Sequence, residues 1–249
     1  MKFKDYFSTH STHYAKYRPR YPEALFEYLV SLCRERTTAW DCATGNGQAA
    51  LSLSAFFACV IATDASKSQI ENAVKRENII YKVATAEGSG ISSHSVDLIT
   101  VAQALHWFDL EIFYGEAKRV LKPSGVVAVW MYNLLNVSPE IDAVVNHYYA
   151  KTVGAYWPTE RGLIEDNYRT IDFPFSEFET PHFAMEAQWS LSELLGYLRT
   201  WSATKRFIAA RGFDPVENLS GEIATLWGTP EEKKLVRWPL HLRAGVMPC

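Results

Sequence analysis

The chain has 249 residues, 48% of them hydrophobic and 21% charged, and a formal net charge of -3. That length can bury a sizeable core, and that balance excludes a disordered chain and a strongly basic nucleic-acid surface. The four cysteines, Cys33, Cys42, Cys59 and Cys249, have no CxxC spacing and no histidine cluster beside them, so neither a metal site nor a disulfide framework is expected. No stretch approaches the roughly 18 apolar residues of a membrane span, and MKFKDYFSTHSTHY lacks the apolar core of a leader. The expected location is the cytoplasm.

Residues 22–36 place Leu25, Leu29 and Leu32 at helical spacing, an amphipathic helix to cover the start of a sheet. From 37 to 132 short apolar runs alternate with helical patterns, as in βαβ units on a parallel sheet. Strands are expected at 37–42, 59–64, 79–84, 96–102 and 126–132, apolar enough for burial on both faces. A helix is expected over 48–57, and Ser66 and Asp109 are expected N-caps of two more, the latter ending at Lys122, Pro123 and Gly125. Beyond 132 the pattern gives a helix at 139–153, an aromatic stretch to 175, a strand at 178–189, helices at 192–201 and 215–227, and a strand at 233–243. Pro239 argues for an edge or distorted position of that last strand. The whole reads as a single α/β domain over 1–249: a Rossmann-like, doubly wound, mostly parallel seven-stranded sheet with an added helical cap.

The chemistry concentrates at the expected strand ends. Residues 39–50 read AWDCATGNGQAA, a strand reaching Asp41, the turn Ala43-Thr44-Gly45-Asn46-Gly47, and a helix from Gln48. Gly45 and Gly47 can take backbone angles closed to other residues and let a ligand approach the main chain. Asp64 ends the second strand, where an acidic residue of a βαβ unit accepts hydrogen bonds from ribose hydroxyls. The fourth strand runs out into Gln103-Ala104-Leu105-His106-Trp107, at the carboxyl edge where open parallel sheets bind ligands. His106 and Trp107 are the active-site candidates; His106 either removes a proton, given an ordinary pKa of about 6.5, or only fixes the loop.

Four blocks, AWDCATGNGQAA at 39–50, VIATDASKSQIENA at 60–73, SVDLITVAQALHWF at 95–108 and EAKRVLKPSGVVAVW at 116–130, preceded by YAKYRPRYP at 14–22, carry a specific resemblance. The chain resembles the class I S-adenosylmethionine (SAM)-dependent methyltransferases of the type 11 group that includes trans-aconitate methyltransferases. It departs from the group's Asp-x-Gly-x-Gly-x-Gly pattern at Ala43, where a glycine is expected.

The resemblance implies SAM as cofactor, bound by a core at about 37–132. It implies that Ala43, Gly45 and Gln48 line the methionine portion, that Asp64 holds the ribose, and that Ala65 and Gln69 flank the adenosine. It also implies contacts of Ala86 and Glu87 with the adenine, and of Gln103 and Ala104 beside the methyl group. An N-terminal segment at about 10–36 would close over the cofactor, with Tyr14 at the methionine end and Arg18 at its carboxylate.

Tyr17, Tyr132, Asn133, Trp157, Arg161, Trp201 and Arg206 are the candidates for acceptor binding, with Tyr148 and Tyr156 beside them in the segment at about 133–230. Each aromatic has a reading as core packing, and each arginine as the partner of a surface acid.

The expected function is methyl transfer to a small-molecule acceptor, a carboxylic acid or related metabolite. An RNA or protein methyltransferase and a non-catalytic SAM-binding module are the alternatives. A nicotinamide dehydrogenase is disfavoured because Ala50 takes the last glycine place of Gly-x-Gly-x-x-Gly. No nucleic acid and no membrane is expected as partner, and the oligomeric state is left open.

Overall fold

In the computed structural model, which describes residues 19–247, the apolar runs become five parallel strands. They are β1 (Thr38–Cys42), β2 (Cys59–Asp64), β3 (Ile79–Val83), β4 (Val96–Ala102) and β5 (Leu121–Tyr132), in the order β3-β2-β1-β4-β5. The chain reverses its direction of travel between β1 and β4, the crevice where doubly wound sheets bind ligands. Alternate residues of each strand serve opposite faces. Ala39, Leu98 and Ala128 join one buried cluster, while Trp40, Ile99 and Val129 join the other.

Helices cover both faces. Leu25, Phe26 and Leu29 of α1 (Glu23–Ser31) and Ala49 and Leu53 of α2 (Gln48–Leu53) pack on the first face. Phe113, Ala117 and Val120 of α4 (Leu110–Val120) pack on the second. Ser66 caps α3 (Lys67–Glu71) by accepting the Gln69 amide at 3.4 Å, and Asp109 caps α4 through Ile112 at the same distance, as expected from the sequence. The helix expected over 48–57 stops at Leu53, because the Asn78 side chain takes over the carbonyls of Ser54 and Phe57 at 2.8 and 3.1 Å.

Beyond β5 the sheet turns antiparallel. β8 (Lys234–Val246) runs against β5, and its other side carries β6 (Ser176–Glu177) and β7 (Phe183–Trp189) at opposite ends, with Ser176 opposite Val246 and Phe183 opposite Leu240. Eight strands thus fill seven positions, which agrees with the expected seven-stranded, mostly parallel sheet.

Two expectations need correction here. The last strand is interior, so of the two positions expected from Pro239 the edge is excluded and the distorted one holds: pairing slips by one residue between Leu240, opposite Tyr132, and Arg237, opposite Asn136. Arg237 exchanges both main-chain bonds with Asn136, so Pro239, two residues on, turns its missing N–H to the same side, where β5 has already ended at Tyr132. β5 also begins at Leu121, not at 126. Leu121 pairs with Val96, a bulge passes Lys122 to Gly125, and pairing resumes at Leu98 and Val126. Gly125 is required there, since a Cβ would fall 2.9 Å from the Lys122 carbonyl oxygen and 3.1 Å from that of Val96.

The cap consists of α5 (Pro139–His147), a wide π turn at Tyr148–Thr152, the short α6 (Arg161–Glu165), α7 (Leu191–Thr200), α8 (Ser202–Arg211) and α9 (Pro215–Trp227). Val145, Leu198 and Ile223 of these helices belong to the same buried cluster as α1. Among the described residues no helix is long and apolar enough to cross a membrane.

Candidate active site

The strand registers set Cys42 beside Thr63 and Val101, and Asp64 beside Val83, so the turns after the first four strands open on one edge of the sheet. In the first turn Ala43, Gly45 and Gly47 all have left-handed φ, at 54°, 58° and 88°. A Cβ on Gly47 would also meet the Tyr81 hydroxyl. Among the described residues nothing lies within 4 Å of the place a Cβ on Gly45 would take, so the main chain there is bare. The alanine that departs from the glycine pattern holds its left-handed angle at a cost of roughly 1–2 kcal/mol.

Asp41 anchors this turn from beneath. It is fully buried and accepts Thr44 Oγ1 at 2.5 Å and Thr100 Oγ1 at 2.8 Å, which ties β1, the turn and β4 together. Burial pushes its carboxyl up to about 6, against the pull of the two hydroxyls. Asp64 joins the first two turns: its Oδ2 accepts the Gly45 N–H at 2.9 Å and its Oδ1 the Ser66 N–H at 2.8 Å. A carboxylate oxygen has a second acceptor direction, and Asp64 is partly exposed.

Ala65 and Gln69 lie partly exposed beyond Asp64, and Ala86 is buried after β3. Glu87 accepts the Asp109 main-chain N–H at 3.0 Å, which links the third turn to the start of α4. The Gln48 amide donates to the Pro19 carbonyl at 3.1 Å, and the Tyr21 ring meets Trp130 edge-on at 5.4 Å, so residues 19–21 lie against the first turn and the sheet. Tyr14, Tyr17 and Arg18 lie outside the described residues.

At the end of β4, Gln103 has φ 56° and prolongs the ladder with its side chain, donating to the Tyr132 carbonyl at 3.1 Å and accepting its N–H at 2.7 Å. Ala104 is buried and leads into the 3₁₀ turn Leu105–Trp107. His106 is 8% exposed, its Nδ1 is 2.7 Å from Tyr168 Oη, and the Trp107 ring is 4.8 Å away. Burial first, and the Arg161 charge second, lower the His106 pKa to about 3. A histidine so placed stays neutral at physiological pH and has little basicity for proton removal.

Tyr168 gave no signal in the sequence. It and Asn167 both hold left-handed angles, 57° and 54°, rare for a bulky aromatic. Arg243 holds the strained pair by donating to the carbonyls of Tyr168 and Ile171 at 3.0 and 2.6 Å while it pairs with Glu177. Among the described residues, four of the six non-glycine positions with positive φ, Ala43, Gln103, Asn167 and Tyr168, belong to this site.

On the acceptor side Arg161 donates from Nε to Tyr149 Oη at 2.8 Å and from Nη2 to Asn133 Oδ1 at 2.9 Å. Its guanidinium stacks 4.7 Å from the Trp157 ring and 5.3 Å from Tyr149, and Trp201 closes the aromatic wall 5.7 Å from Trp157. Tyr149 in turn donates to Glu165. Asn133, Trp157, Arg161 and Trp201 are therefore brought together, with Tyr132 buried where β5 leads into Asn133.

Other candidates fall elsewhere. Arg206 donates to the Tyr156 carbonyl at 3.2 Å, and Arg211 to the Tyr156 hydroxyl at 2.9 Å. Tyr148 is a core residue paired with Thr204 at 2.8 Å. Its neighbour Tyr149 does the work at Arg161, a distinction that two adjacent tyrosines do not reveal by spacing.

A family model described as a methyltransferase domain matches residues 40–129. The chain is similar to a methyltransferase of Dictyostelium discoideum, 36% identical over 248 residues that cover 97% of this chain and 94% of that one. An S-adenosylmethionine-dependent methyltransferase of Saccharomyces cerevisiae is 30% identical over 131 residues, 49% of this chain and 45% of its own. A solved type II methyltransferase of Anaeromyxobacter dehalogenans superposes with a TM-score of 0.88 at 43% identity, over 93% of this chain and 99% of that one.

The residues present fit this cofactor: the bare main chain at Gly45 admits close approach, and a partly exposed carboxylate stands at the end of the next strand. With the Dictyostelium and Anaeromyxobacter methyltransferases alike over nearly their whole lengths, the chain belongs to the class I methyltransferases, enzymes that take their methyl group from S-adenosylmethionine.

Proposed function

We propose that this enzyme, acting as one domain, methylates a carboxylate oxygen of a small organic acid. The observation that carries the reading is Arg161. Neutral oxygens of Tyr149 and Asn133 and two aromatic faces hold its guanidinium, and no carboxylate among the described residues forms an ion pair with it. A planar guanidinium with N–H groups to spare suits two-point recognition of a carboxylate.

Bound SAM supplies a methyl group activated by its sulfonium. The acceptor oxygen forms the O–CH3 bond with its own lone pair while the S–CH3 electron pair returns to sulfur. A methyl ester and a neutral thioether result. Ala43, Gly45 and Gln48 would flank the methionine part, Asp64 the ribose, and Ala65, Gln69, Ala86 and Glu87 the adenosine. Gln103 and Ala104 would border the methyl end, and Trp107, Trp157 and Trp201 would exclude water around the aligned acceptor.

An acceptor screen with methyl-labelled SAM, covering carboxylic acids, phenols, amines, thiols, RNA and protein, tests this. Label is expected in base-labile esters of small acids. Turnover of another class with none of the acids would replace the reading.

A further inference from the structure

We propose that Tyr168 is a positioning residue that locks His106 as the neutral tautomer with its hydrogen on Nε2, so that His106 serves the reaction as a hydrogen-bond donor to the acceptor. The reasoning is one of satisfaction. The Tyr168 side chain is 1% exposed, and its hydroxyl has one hydrogen to give. Among the described residues His106 supplies the hydroxyl's hydrogen-bond partner, Nδ1 at 2.7 Å. Were Nδ1 to carry the hydrogen, the buried phenol would accept it and find no acceptor for its own proton, an arrangement buried polar groups avoid. The O–H therefore points at Nδ1, and the imidazole hydrogen is on Nε2.

The other face of the ring supports the donor role. Nε2 has no hydrogen-bond partner among the described residues, yet it is absent from the sealed, unpaired polar atoms, which are Tyr114 Oη and Trp130 Nε1. It is thus a polar atom of a nine-tenths buried side chain that a ligand can reach. The strain stored at Asn167 and Tyr168, clamped by Arg243, fixes the phenol in the place that selects this tautomer.

Resting on the carboxylate reading above, the consequence is a division of labour. Arg161 and the His106 Nε2–H offer donors to an acceptor that arrives already ionised, and no proton is removed during transfer. A hydroxyl or ammonium acceptor would find no base in His106.

The tautomer can be read without any acceptor. In long-range proton–nitrogen spectra of protein labelled in its histidine rings, with His106 assigned by its loss in His106→Gln, the ring is expected to remain the Nε2–H form from about pH 5 to about pH 8. Tyr168→Phe is expected to mix the two tautomers. A wild-type ring that carries its hydrogen on Nδ1, or that titrates inside this range, overturns the proposal even if the Phe variant does not fold.

Kinetics test the donor role separately. His106→Leu is expected to raise the acceptor KM about tenfold, and His106→Gln, which restores an N–H, to recover part of that loss. The kcat/KM profile should stay flat where an ordinary histidine would titrate. A kcat collapse of equal size in both variants would instead make His106 the base. If the tautomer is as stated while acids are not turned over, the carboxylate reading fails alone.

Discussion

Asp64 Oδ2 accepts the Gly45 main-chain N–H at 2.9 Å, so the residue assigned to the ribose is also the clasp between the first two turns. Its other oxygen binds the Ser66 N–H. Asp64→Asn leaves one acceptor oxygen for two main-chain donors. It is expected to lower folding stability by about 1–2 kcal/mol and to weaken SAM binding about tenfold. Thermal unfolding and titration calorimetry measure the two effects, and lost stability with unchanged affinity would remove Asp64 from the ribose.

Ala43 permits the opposite experiment. Its left-handed φ of 54° disfavours a methyl group by roughly 1–2 kcal/mol, whereas glycine adds about 0.4–1 kcal/mol of unfolded-state entropy. Ala43→Gly is therefore expected to raise stability by about 0.5–1 kcal/mol. Denaturant unfolding checks this, and the SAM affinity of the variant shows whether the methyl also crowds the cofactor.

Asp41 makes stability pH-dependent in an unusual direction. Its carboxyl is raised from 3.8 to about 6 on folding, so the native state holds the proton more tightly than the unfolded chain. The contribution is fully present below the unfolded value and is lost as pH rises through the folded one, roughly 3 kcal/mol at most. Asp41→Asn is expected to remove this decline between about pH 4 and about pH 6. Unfolding free energies of both proteins across that interval check it; parallel curves would show that Asp41 is not the group responsible.

Arg161→Lys tests the acceptor assignment. The ammonium keeps the charge but cannot span both Tyr149 and Asn133 while presenting a fork. The acceptor KM is expected to rise about tenfold, with SAM affinity unchanged. An equal loss in SAM binding would place the guanidinium at the cofactor instead.

Local sequence was enough for elements whose chemistry is local. β2 and β4 coincide with their apolar runs, and Ser66, Asp109 and the α9 span from Pro215 to Trp227 follow directly from capping and periodicity. α8 escaped because only Ala203 and Thr204 are buried, leaving no apolar stripe to read. Lys122 to Gly125 read as the end of a helix, although in the fold they form a bulge that continues β5.

The sequence by itself determined the strand-end turns that are proposed to hold the cofactor, because a turn after β1, an acid ending β2 and a turn after β4 are short-range patterns that a parallel sheet aligns on one edge. It also placed His106 and Arg161 among the candidates. What each does was decided only in three dimensions: protonation and pairing depend on burial and on neighbours remote in the chain. Tyr168, 62 residues beyond His106, sets the partner of its Nδ1, and Tyr149 and Asn133 hold Arg161. No spacing along the chain encodes those meetings.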